Sequence, residues 1–137
     1  QDAGIDIDRT YVTNAVKHFK FTQHGKRRLH QTPTAGEIDM CRWWLEAERA
    51  LIRPRLVLAL GVSAARSLLG RTVSLQRERD RGHALDDGSE LWLTSHPSYL
   101  LRLDGVARED EERRFSSDLR KIYHRLMELH CAKITPV

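Results

Sequence analysis

At 137 residues with 40% apolar and 31% charged side chains, the chain can fill one domain of ordinary size with a buried core. It carries 23 Lys and Arg against 19 Asp and Glu, a net charge of +4 that would mean little if spread evenly. Two cysteines, Cys41 and Cys131, exclude a disulfide framework, and with no signal peptide or membrane-length apolar run the expectation is a soluble, cytoplasmic protein.

The opening residues, QDAGIDID, read as the end of a helix with Gly4 at its C′ position, leading into a strand. The sequence is therefore expected to start inside a domain. Residues 9–16 (RTYVTNAV) form a β-prone run, expected as a buried strand that delivers side chains to a site at its carboxyl end. Asn14 sits near that end. Its carboxamide, both donor and acceptor, suits recognition of a flipped base, and equally suits a strand-end residue bonding its own backbone.

The stretch 13–33, TNAVKHFKFTQHGKRRLHQTP, is where function concentrates. Between residues 17 and 33 it has no acid, while Lys17, Lys20, Lys26, Arg27 and Arg28 alternate with His18, His24, His30, Phe19 and Phe21. Such a segment takes a polyanion as its partner. Residues 25–30 (GKRRLH) are expected to be a surface loop, because adjacent cations repel when packed. Lys26, Arg27 and Arg28 are candidates for phosphate contact, with His30 delivered to whatever those phosphates hold. A solvated charge run ending in an exposed histidine is the plainer reading of the same residues.

Thr34 and Glu37 form a capping box after Pro33 and open a helix whose apolar stripe runs Ile38, Cys41, Leu45, Ile52 until Pro54. Trp43 and Trp44 should widen its buried face, and Cys41 is either a small core residue or a ligand. Residues 56–60 (LVLAL) read as a strand covered on both faces. Gly61 and a helix over residues 63–69 closed by Gly70 follow, half of a βαβ unit. The turn Gly61-Val62-Ser63-Ala64-Ala65 comes near a serine-hydrolase nucleophile elbow, with Asp86 or Asp87 and His96 following in hydrolase order. Ser63 as a helix N-cap explains the same residues more simply.

Residues 71–87 suggest a small β excursion at the sheet edge, with Val73 and Leu75 alternating and Asp87-Gly88 as a hairpin turn. Residues 90–94 (ELWLT) read as a third buried strand running into SHPSYLLR. That puts His96 at the carboxyl end of a strand, where open α/β sheets keep their sites. From about residue 106 a long helix follows, with Phe115, Leu119, Ile122, Leu126 and Leu129 at helical spacing, and Cys131 near its end is incidental.

The segments TNAVKHFKF, GKRRLH, TP followed by Glu37 and CRWWL, LVLALG and HPSYLLR occur in this order. Together they resemble the uracil-DNA glycosylase superfamily, specifically its UdgX-type branch, close to the family-4 enzymes, over residues 3–120. The resemblance implies an α/β three-layer fold, α/β/α with a mostly parallel central sheet, of which residues 1–137 are the C-terminal portion of a single domain. It implies a glycosylase in which Asn14 recognises the uracil edge and His96 hydrogen-bonds the departing uracil oxygen. Ser98 and Arg102 would hold phosphates, and Tyr99, Leu100 and Leu101 would enter the vacated stack.

His30 holds the position of the branch's nucleophile, which captures the sugar and leaves protein and DNA covalently joined; a neutral imidazole is competent for this near pH 7. The resemblance further implies a 4Fe-4S cluster, with Cys41 and His18 as two ligands and an upstream CxxC as the others. The partner implied is uracil-containing DNA, single-stranded. The complete protein would be a monomer, or this portion would pair with a fragment supplying the upstream half, whose first strand would lie between the strand ending at residue 16 and residues 56–60. The rival reading is a non-catalytic DNA-binding module of the same fold.

Overall fold

A computed structural model describes residues 3–18 and 20–131. A short 3-10 turn (Ile7–Arg9) precedes strands β1 (Phe21–His24) and β2 (Arg27–His30) and helix α1 (Ala35–Ile52). Strand β3 (Leu56–Leu60), helix α2 (Val62–Leu69), the single turn α3 (Leu75–Glu78) and strands β4 (His83–Ala84) and β5 (Glu90–Thr94) come next. A short helix α4 (Pro97–Leu100) and the long helix α5 (Gly105–Cys131) complete the order. Among the described residues no helix is long and apolar enough to cross a membrane.

The fold is α/β. β3 and β5 pair in parallel, Leu56 opposite Glu90 through Leu60 opposite Thr94, and two-residue β4 adds an antiparallel edge. Side chains alternate along a strand, so β5 serves two layers. Leu91 and Leu93 join Leu45 of α1 and Ala65 and Leu68 of α2 in one core. Glu90 and Thr94 instead reach Arg125 and Asp118 of α5 on the other face.

Helix α1 begins as the capping box requires. The Glu37 N–H donates to Thr34 Oγ1 (3.3 Å) and the Thr34 N–H to Glu37 Oε2 (2.7 Å), together worth about 1 kcal/mol. The helix stops at Arg53, left-handed at φ 51°, before Pro54. Ile38, Cys41 and Leu45 are buried as the stripe predicts, whereas Ile52 is half exposed. Trp43 and Trp44 depart from expectation: both are exposed, stacked on each other with centroids 3.9 Å apart. At 3.6 residues per turn they lie roughly 120–140° round the helix from Ile38, off the buried line. Arg49 completes that line, its Nη2 2.6 Å from Asp87 in the turn before β5.

Other expectations need correction. Gly4 has the positive φ of a C′ residue (81°), but a 3-10 turn capped by Asp6 follows it rather than a strand; a helix ending at residues 1–2 lies outside the described residues. The strand over residues 9–16 is absent: among the described residues no backbone–backbone hydrogen bond involves residues 11–18, and β3 has no strand on its outer edge. A strand without a ladder partner leaves its polar backbone unsatisfied. β3 is only partly covered, with Ala59 its one buried residue. Ser63 does not cap α2, since Gly61 holds the cap position at φ 90°. Leu75 starts a helical turn instead of alternating in a strand, and the edge excursion shrinks to β4.

Glu78, buried at the end of α3, accepts from Arg71 and Arg81, each at 2.8 Å. These guanidiniums, Arg71 first, bring its carboxyl from 4.5 down to about 2. The folded-state pKa lies below the unfolded one, so the stabilisation is complete above about pH 4.5 and is lost as pH falls towards 2. Urea unfolding at pH 3 and pH 6 should therefore show a steeper acid loss for the wild type than for Glu78→Gln. Identical acid losses would sink the assignment.

Candidate active site

β5 runs into buried Thr94 and Ser95, and the next residue, His96, emerges exposed. Its imidazole caps α4: Nδ1 accepts the Ser98 N–H at 3.1 Å and lies 2.8 Å from Ser98 Oγ. A backbone N–H can only donate, so Nδ1 must be the acceptor, and the neutral ring carries its proton on Nε2. The ring thereby presents a hydrogen-bond donor at the carboxyl end of the sheet.

Gly61, at the end of β3, donates its N–H to Thr94 O (2.8 Å). A Cβ on Gly61 would come 3.2 Å from the His96 Cβ, in a backbone at φ 90°. The β3–α2 turn thus closes against His96 at a distance only glycine fits without strain. Gly61→Ala should cost about 1–3 kcal/mol of stability and shift the His96 ring resonances in NMR spectra. Unchanged unfolding and unchanged resonances would show that the turn yields elsewhere.

The basic segment expected as a loop is a β-hairpin. β1 and β2 pair antiparallel from Phe21 opposite His30 to His24 opposite Arg27, and Gly25 takes the first of two turn positions at φ 58°. Alternation resolves the repulsion, because Arg27 and Arg28 fall on opposite faces. Phe21, Gln23, Arg28 and His30 share one face, where the Arg28 guanidinium sits 4.8 Å over the Phe21 ring. All of residues 21–30 are exposed. Lys26, Arg27 and Arg28 have no carboxylate partner among the described residues, whereas Lys17 and Lys20 are paired with Glu48 and Glu37. Phe19 lies outside the described residues.

Asn14 is exposed in the irregular stretch before the hairpin, and Ala15 beside it packs on the core. After His96, Tyr99 and Leu101 are exposed, Leu100 is half-buried and Arg102 is exposed. A groove of about 510 Å³ lies between Val16, His18 and Lys20 and helix α1, and both exposed His18 and buried Cys41 line it. The hydrolase alternative finds no relay: His96 Nδ1 is taken by Ser98, and Asp87 faces Arg49 and Ser89.

The sequence model of the Uracil DNA glycosylase superfamily matches residues 1–120. The chain belongs to that superfamily. It is 34% identical over 103 residues, 73% of this chain and 41% of the relative, to a type-5 uracil-DNA glycosylase of Pyrobaculum aerophilum. It is 32% identical over 105 residues, 74% of this chain and 50% of the relative, to a type-4 uracil-DNA glycosylase of Thermotoga maritima. The chain spans about half the length of these curated relatives.

For this superfamily member the donor set can be tested against a four-iron cluster, which needs four protein ligands. Cys41 and His18 open on one groove, but no group of three or more His, Cys, Asp or Glu side chains gathers as a metal site among the described residues. Two candidate donors on one groove do not by themselves make up the four that such a cluster requires. Sequence reasoning also missed two contacts beside these residues, the close approach of Gly61 to His96 and the bonds of Glu48 to Thr13 and Lys17. A glycine directly after a buried strand was the available signal for the first. Glu48 had none, because its partners Thr13 and Lys17 lie 35 and 31 positions away.

Proposed function

We propose that the chain is the C-terminal portion of a uracil-DNA glycosylase of the UdgX type. It flips uracil from single-stranded DNA, breaks the N-glycosidic bond and is captured on the sugar by His30. The observation that carries this reading is the His96 turn, in which Ser98 fixes Nδ1 as acceptor and so makes Nε2–H a donor at the sheet's carboxyl end. A donor aimed at the departing uracil oxygen stabilises the charge that develops there.

In this mechanism the Asn14 carboxamide pairs with the uracil edge. The C1′–N1 bond breaks with its electron pair going to uracil. One His30 ring nitrogen forms a bond to C1′ with its lone pair, and the other releases its proton to solvent. Lys26, Arg27 and Arg28, without carboxylate partners among the described residues, are suited to phosphates. Arg102 and the Ser98 turn would hold the phosphates flanking the flipped nucleotide, while exposed Tyr99 and Leu101, backed by half-buried Leu100, fill the vacated stack. Cys41 and His18 would hold a 4Fe-4S cluster together with two upstream ligands, and the cluster would tie the 13–20 stretch to α1. The upstream part of the domain would lay its first strand along the outer edge of β3, completing a monomer, or a separate fragment would do so.

A non-catalytic DNA-binding module is the second reading, favoured by the hairpin cations alone. The test mixes the full-length protein with a single-stranded oligonucleotide carrying one uracil and resolves the products on a denaturing gel. A shifted band that requires uracil supports the proposal. Abasic product without a shifted band identifies an ordinary glycosylase. Salt-sensitive binding indifferent to uracil, with no product, leaves the binding module.

A further inference from the structure

The stretch that presents Asn14 is held by side chains rather than by backbone. Among the described residues, no backbone–backbone hydrogen bond involves residues 11–18. Two residues of that stretch converge instead on a single carboxylate of α1. Thr13 Oγ1 donates to Glu48 at 3.0 Å, and Lys17 Nζ lies 2.8 and 2.9 Å from the two Glu48 oxygens. Lys17 Nζ also donates to Thr13 Oγ1 at 2.7 Å, closing a triangle across the turn. Asn14 sits between the two anchored residues, directly after Thr13.

The post itself is anchored in the fold. Glu48 rides on α1 between Leu45 and Arg49, both buried, and Arg49 ties the helix to Asp87. The Lys17 ammonium is the main cause that holds the Glu48 carboxyl below its ordinary range, with Thr13 adding to it. The Lys17 and Glu48 side chains keep 22% and 27% of their exposure, so water reaches the clamp without dissolving it in bulk solvent.

Base discrimination gives this clamp a purpose. A carboxamide carries a donor and an acceptor, and rotation by half a turn exchanges them. Uracil offers a donor at N3 and an acceptor at O4, whereas cytosine offers the reverse. An asparagine on a loose turn can adapt to either pattern. One held at both flanks meets the base in one orientation.

We propose that Glu48, through Thr13 and Lys17, is a positioning residue that fixes the Asn14 turn and thereby sets the preference for uracil over cytosine. The inference rests on the assignment of Asn14 to the uracil edge. Glu48 touches neither base nor sugar; it acts by holding the backbone on both sides of Asn14.

The test uses full-length protein, a single-stranded oligonucleotide with one uracil or one cytosine at the same position, and single-turnover release of each base. Hydrogen exchange at the amides of residues 13–17 gives a readout independent of activity. Glu48→Ala and Lys17→Met should each slow uracil release by about 10- to 100-fold, the scale expected when a recognition group is misplaced by about 1 Å. They should also narrow the uracil-to-cytosine ratio, and speed exchange at 13–17 while the urea midpoint stays near that of the wild type. The charge swap Lys17→Glu with Glu48→Lys rebuilds the pair in reverse and should recover both the rate and the exchange protection. Full uracil release by Glu48→Ala, where Asn14→Ala has lost it, overturns the inference and leaves the Asn14 assignment standing. Full release by Asn14→Ala overturns both. Failure of the charge swap to recover either readout overturns the clamp as the means by which Glu48 acts.

Discussion

Replacing His30 with alanine is expected to abolish the denaturation-resistant protein–DNA band entirely while uracil release continues. The two outcomes separate because two groups carry them. In the proposed mechanism, departure of uracil depends on the donor at His96 and on base recognition by Asn14, neither of which lies on the hairpin. Capture depends on a nitrogen lone pair reaching C1′ before water does, and only an imidazole at the end of β2 supplies it in this mechanism. His30 sits on an exposed two-stranded hairpin outside the buried core, so its removal should leave the protein folded. Alanine also leaves space for water where the ring stood, which turns a trapped complex into an abasic product.

His96→Ala is the contrasting variant. Loss of a donor aimed at developing charge should slow release and capture together, by about 10²- to 10³-fold. A denaturation-resistant band that persists in His30→Ala would point to a different nucleophile.

Much of the scaffold was legible because it is written in local pattern. The capping box at Thr34, the unbroken apolar run of β3, the apolar centre of β5 and the helical spacing of α5 each concern residues a few positions apart, and each gave its element. His96 at the end of β5 followed from the same kind of signal.

The misreadings have physical causes. The hairpin was hidden because three consecutive cations look incompatible with packing, yet every side chain on it faces water. Trp43 and Trp44 are expected to widen the buried face of α1, but their angular position on the helix turns both to solvent. The 9–16 strand was inferred from propensity, but a strand forms only where a neighbour offers a ladder, and β3's outer edge has none among the described residues. Pairings between distant residues left no trace at all: Lys17 with Glu48, Arg49 with Asp87, and Arg79 with Asp118.

The last of those pairings should give the largest stability effect in the molecule. Arg79 and Asp118 are both buried, with side chains 2% and 4% exposed, and Arg79 Nε donates to Asp118 Oδ2 at 2.6 Å. Thr94 Oγ1 donates to the same oxygen at 2.6 Å, and Arg79 Nη1 reaches Glu111 at 2.8 Å. Asp118→Ala leaves a buried guanidinium with Glu111 as its remaining charged partner. The expected loss is about 3–5 kcal/mol in urea unfolding. Arg79→Met should cost a similar amount, because it strands the carboxylate.

The pair Arg79→Met with Asp118→Leu removes both charges and should recover most of that loss, since packed apolar groups often replace a buried ion pair without net cost. A single-variant loss under about 1 kcal/mol would mean that water or a shifted side chain reaches the gap. If the double variant is stable, the network's remaining purpose can be read at His96. Thr94 is hydrogen-bonded to Asp118 and carries the carbonyl that receives the Gly61 N–H, two residues before the histidine. With its Asp118 acceptor gone, Thr94 is free to rotate, and the His96 turn inherits that freedom. A double variant with wild-type stability but slowed uracil release would separate the two roles, assigning the ion pair to alignment of β5's end rather than to the folding free energy.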